Sequence, residues 1–251
     1  MPRHGQLSVQ IFVSCGDSIS GISKKNGKEF FRFPTNLSDP VSSMWAGEAD
    51  IHAASHASYT IFKDGHEDSF FLSPGEISQL DVGHITRQTE LDAVLGCSDR
   101  AVRVLAQAQA AFEVPLDQAV SAVSIAPGAS AAGASVGSAA VPIVAGGSSG
   151  QVTLLHGNGH QLRRGWVIEN LGKHRGGGIN AITHADMSGD GVADLVLARN
   201  DGKLQVWSGG GDSAPSCVYS EEFGESIRGL TAGTVTNPVL PQVVLNTFGG
   251  R

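Results

Sequence analysis

The run Asp186-Met187-Ser188-Gly189-Asp190-Gly191-Val192-Ala193-Asp194 puts oxygen-bearing side chains at its first, third, fifth and ninth positions. A hard cation such as Ca2+ takes six to eight oxygens, and glycine lets a chain curl tightly around it. Asp186, Ser188, Asp190 and Asp194 are therefore candidate metal ligands. An EF-hand is excluded, because its twelfth position calls for Glu and holds Leu197 here. Ser188 is a neutral ligand and lowers the expected affinity. The same loop has a metal-free alternative, in which the Asp carboxylates accept hydrogen bonds from backbone N–H groups.

Other runs imitate chemistry less well. Gly133-Ala134-Ser135-Val136-Gly137 and Gly146-Gly147-Ser148-Ser149-Gly150 fit the G-x-S-x-G nucleophile elbow. That elbow needs a strand before the serine and a helix after it. The first run lies in a low-complexity stretch and the second in a strand-turn-strand pattern. His52 and His56 have the spacing of a zincin pair but lack its glutamate, and their surroundings read as strand. Residues 21–28 miss the glycine spacing of a phosphate loop, and Glu29 stands where Ser or Thr should bind magnesium. They read as a hairpin, with Lys24, Lys25, Lys28 and Arg32 forming a solvated edge or a protein contact. No carboxylate pair, Ser/His/Asp set or Cys/His set assembles from spacing, so no enzyme is expected.

The elements that carry these residues are strands. The 251-residue chain holds 33 glycines, with 6% aromatic and 16% charged residues and a net charge of −7. The acidic balance, without a basic block, argues against nucleic acid, and no apolar run reaches the ~18–20 residues of a membrane helix. Three cysteines without a CxxC pair, and an N-terminus without a long apolar segment, fit a soluble intracellular protein. One pattern recurs: apolar residues, small residues, a turn with Asp or Gly, then alternating apolar residues. Its anchors are Cys15, His56, Cys97, Gly147, Arg199 and Thr247. A unit of ~40–50 residues is the size of a four-stranded propeller blade. The fold class is thus all-β, a β-propeller of five to six blade units over residues 1–251, partial because its last unit lacks outgoing strands. Asn26-Gly27 predicts a two-residue hairpin turn. Cys15 and Cys97 are expected to be small buried strand residues. Trp45, Trp166 and Trp207 should pack between blades. Residues 127–140, rich in Ala, Ser and Gly, are expected to form a flexible loop within a blade.

Two resemblances add to this reading. The 186–194 loop is similar to the D-x-D-x-D-G-x-x-D loops of integrin-type propeller blades, and the similarity implies that Val192 would give its backbone carbonyl to the metal. Residues 26–38, opening Asn26-Gly27-Lys28-Glu29-Phe30-Phe31, resemble a blade segment of the Bardet–Biedl syndrome 7 family. Leu95-Gly96-Cys97-Ser98-Asp99-Arg100-Ala101-Val102 and the residues after it are similar to a strand pair of that family. So are Arg175-Gly176-Gly177-Gly178-Ile179, the loop from Gly189 to Leu195, and Asn200-Asp201-Gly202-Lys203-Leu204-Gln205-Val206. Their order and spacing hold across nearly the whole chain. The resemblance implies a seven-bladed propeller lacking here its first blade and the helical, ear-like and platform regions beyond it. It also implies a non-catalytic subunit of the BBSome, an eight-subunit coat-like complex. That complex carries membrane proteins to and from cilia with intraflagellar transport and an Arf-like small GTPase. The implied partners are other BBSome subunits, the Bardet–Biedl syndrome 2 protein above all. The implied places are the cytoplasm, the cilium, its basal body and, peripherally, its membrane. No cofactor is expected beyond the candidate Ca2+. The competing expectation is a Ca2+-binding or sugar-active propeller using Asp186, Asp190 and Asp194.

Overall fold

Short alternating runs punctuated by Gly and Asp leave the chain little choice but antiparallel meanders. A computed structural model describes residues 10–47, 49–86, 91–127, 140–157, 159–209, 213–234, 236 and 240–250. The chain divides into two compact units, residues 1–77 and 78–251. In the first, β1 (Gln10–Cys15), β2 (Ser18–Ser23) and β3 (Glu29–Pro34) form a three-stranded sheet. Beside them in sequence, β4 (Ser43–Ala46), β5 (Asp50–Ser55), β6 (Ser58–Lys63) and β7 (His66–Leu72) form a four-stranded one.

The second unit repeats the four-stranded plan. One sheet is β8 (Ile77–Gly83, opening on the last residue of the first unit), β9 (Asp92–Cys97), β10 (Ala101–Ala106) and β11 (Gln109–Pro115). The next is β12 (Val120–Ile125), β13 (Val141–Gly147), β14 (Val152–Gly157) and β15 (Leu162–Ile168). Then come β16 (Ile179–Ala185), β17 (Asp194–Arg199), β18 (Lys203–Ser208) and β19 (Ser216–Glu222), and last the pair β20 (Ile227–Gly233) and β21 (Gln242–Thr247). These sheets are propeller blades in sequence order. Gly172–His174 is a single 3-10 turn, and no helix among the described residues is long and apolar enough to cross a membrane.

Burial falls from the middle of each blade to its rim. Every residue of β9 and β17 is buried, whereas β7 and β11 are mostly exposed. Face-to-face stacking explains this, since a middle strand is covered on both sides and must be apolar or internally paired. Val94, Val102 and Val104 of one blade meet Val120, Val123, Ile143 and Leu155 of the next. Val144, Val152 and Leu154 in turn meet Ile179, Ile182, Leu197 and Trp207. Two glycines set the closeness of this stacking. A Cβ on Gly96 would lie 2.8 Å from Val120 and Val123 side chains, and one on Gly146 would lie 2.5 Å from Ile179.

Bulges shape both margins of a blade. Each outer strand that pairs with a third strand carries one, at Phe30, Asp68, Ala111, between Arg164 and Val167, and at Val218. A bulge at an exposed edge disrupts the ladder that another chain would otherwise extend. The innermost strands β12, β16 and β20 are bulged at Ser121, Asn180 and Arg228.

Several expectations take a different form. The second repeat ends its strand at Ser55, with His56 in the following turn at φ 48°. The Asn26-Gly27 turn is longer than two residues. Ser23 N–H donates to Lys28 O at 2.9 Å, and Asn26 Oδ1 accepts from Lys28 N–H at 3.0 Å, with Gly27 at φ 67°. Cys97 is buried as expected, but Cys15 is exposed, because β1 pairs only with β2 among the described residues. Residues 128–139, most of the 127–140 stretch, lie outside the described residues, as does the first G-x-S-x-G run.

Candidate functional site

The 186–194 loop joins β16 to β17 at one end of its blade. Asp186 Oδ1 accepts from Gly189 N–H at 2.6 Å and Asp190 N–H at 3.1 Å, and its Oδ2 accepts from Gly191 N–H at 2.9 Å. Gly189 and Gly191 sit at φ 79° and 84°, a conformation that turns successive N–H groups inward. Asp190 Oδ1 accepts from Val192 N–H at 2.8 Å. Asp194 is buried, and its Oδ2 accepts from Met187 N–H at 2.9 Å and Ser188 N–H at 2.7 Å. Ser188 Oγ lies 3.4 Å from Asp194 Oδ1 and Val192 is exposed. The five residues are thus neighbours in one loop, with the three carboxylates turned towards its own backbone. Among the described residues no group of three or more His, Cys, Asp or Glu converges as a metal site. The donor set as arranged does not form a cation cage.

Asp92 makes the same kind of ties and shows what Asp194 does. Asp92, at the start of β9, is buried. It accepts from Ile85 N–H at 2.7 Å and Thr86 N–H at 2.6 Å, and from Thr86 Oγ1 at 2.8 Å. Gln242, at the start of β21, accepts from Thr236 N–H at 2.6 Å. All three open the second strand of a blade and accept from backbone N–H groups shortly after its first strand ends. Asp92 and Asp194 hold equivalent positions, a signal present in the repeat but hidden by the metal-like spacing around one of them.

The opposite end carries the anchor turns. Gln118 donates to Gln151 O at 2.9 Å and accepts from Ser149 N–H at 3.0 Å. Ser148, the serine of the second G-x-S-x-G run, is therefore in a strand-to-strand turn with no helix after it. Asn170 bridges Ser149 O at 2.7 Å and Gly176 O at 2.6 Å. Asp201 accepts from Gly177 N–H at 2.7 Å, and Glu225 accepts from Gly249 N–H at 2.7 Å. Gly202 is required here, since a Cβ would lie 2.7 Å from Glu225 O while φ is 89°.

Two arginines lie inside the blades. Arg103, 3% exposed, forms a two-pronged pair with Asp99 at 2.9 and 2.6 Å and reaches Glu113 at 2.9 Å. The hydrogen bonds from Arg103 hold the Asp99 carboxyl below the usual range. Arg199, 1% exposed, has a different set: Gln205 Oε1 at 2.8 Å, Gly177 O at 2.8 Å and Gly150 O at 3.1 Å. Burial lowers its pKa. Gln205 occupies the register position of Arg103, and Arg199 that of Cys97, so the cation has changed strands between blades. Both polar positions are buried by pairing within the blade, Arg103 with Asp99 and Glu113, and Gln205 with Arg199.

The inner-strand bulges aim side chains across blade boundaries. Ser121 Oγ donates to Ile179 O at 2.5 Å, and Asn180 Nδ2 donates to Ile227 O at 2.7 Å. Gln79 and Asp81 accept from Val123 N–H at 3.1 Å and Ile125 N–H at 2.7 Å. Burial raises the Asp81 pKa. None of these stitches was visible as a motif, because a bulge has no reliable signature in one sequence. The histidine pair separates: His52 is buried with Nδ1 2.6 Å from Tyr59 Oη, whereas His56 is exposed near Glu76. Trp166 and Trp207 belong to one inter-blade cluster, and Trp45 packs edge-on to His52.

Known proteins share this fold. The N-terminal part of BBS1, solved in complex with ARL6DN, superposes with a TM-score of 0.69 at 11% identity, over 96% of this chain and 70% of that one. The WD40 propeller domain of Doa1 gives 0.68 at 10% identity, over 95% and 72%. The mouse BBSome complex member BBS7 is 26% identical over 241 residues, covering 96% of this chain and 32% of its own length. The Caenorhabditis elegans member bbs-7 is 21% identical, covering 99% and 34%. The chain thus spans about a third of the length of these relatives. The family model described as BBS7 beta-propeller matches residues 2–251, and the chain belongs to that family.

Proposed function

We propose that the chain is a non-catalytic interaction module, the propeller of a BBSome subunit that helps move membrane proteins into and out of cilia. The carrying observation is the family match over residues 2–251. Two features of the molecule support it. Among the described residues, buried Asp92, Asp194, Arg103 and Arg199 hold loops and strands together. The BBS1 neighbour, a propeller of the same fold, was solved with a protein partner. The proposed partners are other BBSome subunits, first the Bardet–Biedl syndrome 2 protein, acting with intraflagellar transport and an Arf-like small GTPase. The proposed places are the cytoplasm, the cilium and its basal body, with peripheral attachment at the ciliary membrane. Co-expression with the Bardet–Biedl syndrome 2 protein tests the first partner. Co-elution as one species supports the assignment, and separate elution of two folded proteins removes that partner.

The 186–194 loop belongs in this reading as a backbone-held turn without metal. A Ca2+ site filled to ~100 times its dissociation constant would stabilise the fold by about 2.7 kcal/mol. Thermal unfolding in Ca2+ and in chelator should therefore coincide. A Ca2+-dependent rise in Tm that Asp186→Ala abolishes would restore the metal reading.

A further inference from the structure

The hairpin between β2 and β3 concentrates positive charge on a chain whose net charge is −7. Lys24, Lys25 and Lys28 are exposed and make no ion pair among the described residues. Arg32 lies on β3 beside them, 3.5 Å from Glu29 and 3.0 Å from Ser20 Oγ. Like charges gathered on one hairpin repel, and among the described residues the one ion pair they make is that of Arg32 with Glu29. On the other outer strands, β7 carries Glu67 and Asp68, and β19 carries Glu221 and Glu222. β15 shares the positive sign, but its Arg164 is taken up by Asp117 and the Pro115 carbonyl.

An aromatic side chain stands among these cations. The β3 bulge places Phe30 outward, 43% exposed. It meets Phe31 edge-on at 4.9 Å, Phe31 stacks on Phe33 at 5.9 Å, and Phe33 meets Phe62 in the core at 5.3 Å. Gly21 leaves the room for this, since a Cβ there would lie 2.2 Å from Phe31 and 2.6 Å from Phe30. Phe30 is thus backed by a ladder of rings and loses little freedom when covered, which suits an anchor.

We propose that this hairpin is a docking site for an acidic segment of another protein that carries an aromatic or branched apolar residue. Carboxylates would meet Lys24, Lys25, Lys28 and Arg32 while the apolar residue covers Phe30. A short peptide fits better than an extended polyanion, which would run onto the acidic remainder of the chain. The single ring exposed on the hairpin itself is also too little apolar area for a membrane anchor. The proposal rests on the reading of the chain as an interaction module, but not on any BBSome contact.

Fluorescence anisotropy with a labelled ten-residue peptide alternating glutamate and phenylalanine tests it on the intact chain. Binding should weaken as salt rises from about 50 to about 300 mM. The Lys24→Glu/Lys25→Glu/Lys28→Glu variant should lose about tenfold or more in affinity, and Phe30→Ser severalfold. All four positions are exposed, and unchanged Tm values check that the variants fold. Three results overturn the proposal: no binding by the wild-type chain, equal binding of a peptide with glutamines for glutamates, or equal binding by the triple variant. Tighter, lysine-dependent binding to phosphatidylserine vesicles than to the peptide also overturns it, making the hairpin a membrane contact. Failure here leaves co-elution with BBSome subunits unaffected, so the two readings fall separately.

Discussion

His184 is a neutral imidazole held inside the fold. Its Nε2 is buried with no hydrogen-bond partner among the described residues, and burial pushes its pKa down to about 4 from 6.5. His52 shifts the same way, because burial outweighs the pull of Asp50, 3.3 Å away. A group whose folded pKa is depressed lends stability that is complete above its unfolded pKa and lost as pH falls towards the folded value. Stability should therefore decline from pH 6.5 to 4, by about 2 to 3 kcal/mol for His184 alone. Urea unfolding of His184→Phe across that range should show a flatter profile, and an unchanged slope would contradict the burial argument. Asp92→Ala and Asp194→Ala should each cost about 2–3 kcal/mol, since each strands two backbone N–H groups. Arg199→Met should cost about 3 kcal/mol, since it removes the charged donor that Gln205 Oε1, Gly150 O and Gly177 O accept from. Residue roles were only partly legible in the sequence. The spacing of Asp186, Asp190 and Asp194 satisfies a cation and a backbone-held turn equally, and only the direction of the carboxylates separates them. Arg103 alternates with Val102 and Val104 in sequence, and its burial with a pair to Asp99 four residues earlier has no separate signal there.

Between elements, the closeness of stacked blades rests on glycine and on the inner-strand bulges. Gly146→Val would drive its side chain into Ile179 and should cost about 2–3 kcal/mol or more by forcing two blades apart. Asn180→Leu removes the stitch to Ile227 and should cost about 1–2 kcal/mol. Equilibrium unfolding measures both, and a neutral Gly146→Val would mean the blades stack more loosely than described. This scale was the most legible one. The repeated small residues at the strand ends, Gly96 and Gly146 among them, exposed the blade period, because stacking imposes the same steric limit in every blade. Loop length was less legible. Asn26 and Gly27 mark the hairpin, but the four-residue turn around them depends on where Ser23 and Lys28 pair. The outer-strand bulges escaped notice because they follow from strand twist and edge exposure, with residues as different as Phe30, Asp68 and Ala111 in the bulged place.

For the whole molecule, the consistent economy is that polar side chains serve cohesion. The two buried arginines, the loop-holding Asp92 and Asp194 and the bulge-borne Ser121 and Asn180 together make blades that hold broad outer surfaces in place. Such a surface suits protein partners, for which a stable interface needs ~800 Å² on each side. The most direct measurement is affinity capture of the tagged chain from ciliated cells, with co-purifying proteins quantified by mass spectrometry. The account predicts enrichment of other BBSome subunits over an unrelated tagged propeller. Their absence, while a full-length BBS7 relative captured in parallel brings them down, would contradict the claim that this propeller is itself a binding module.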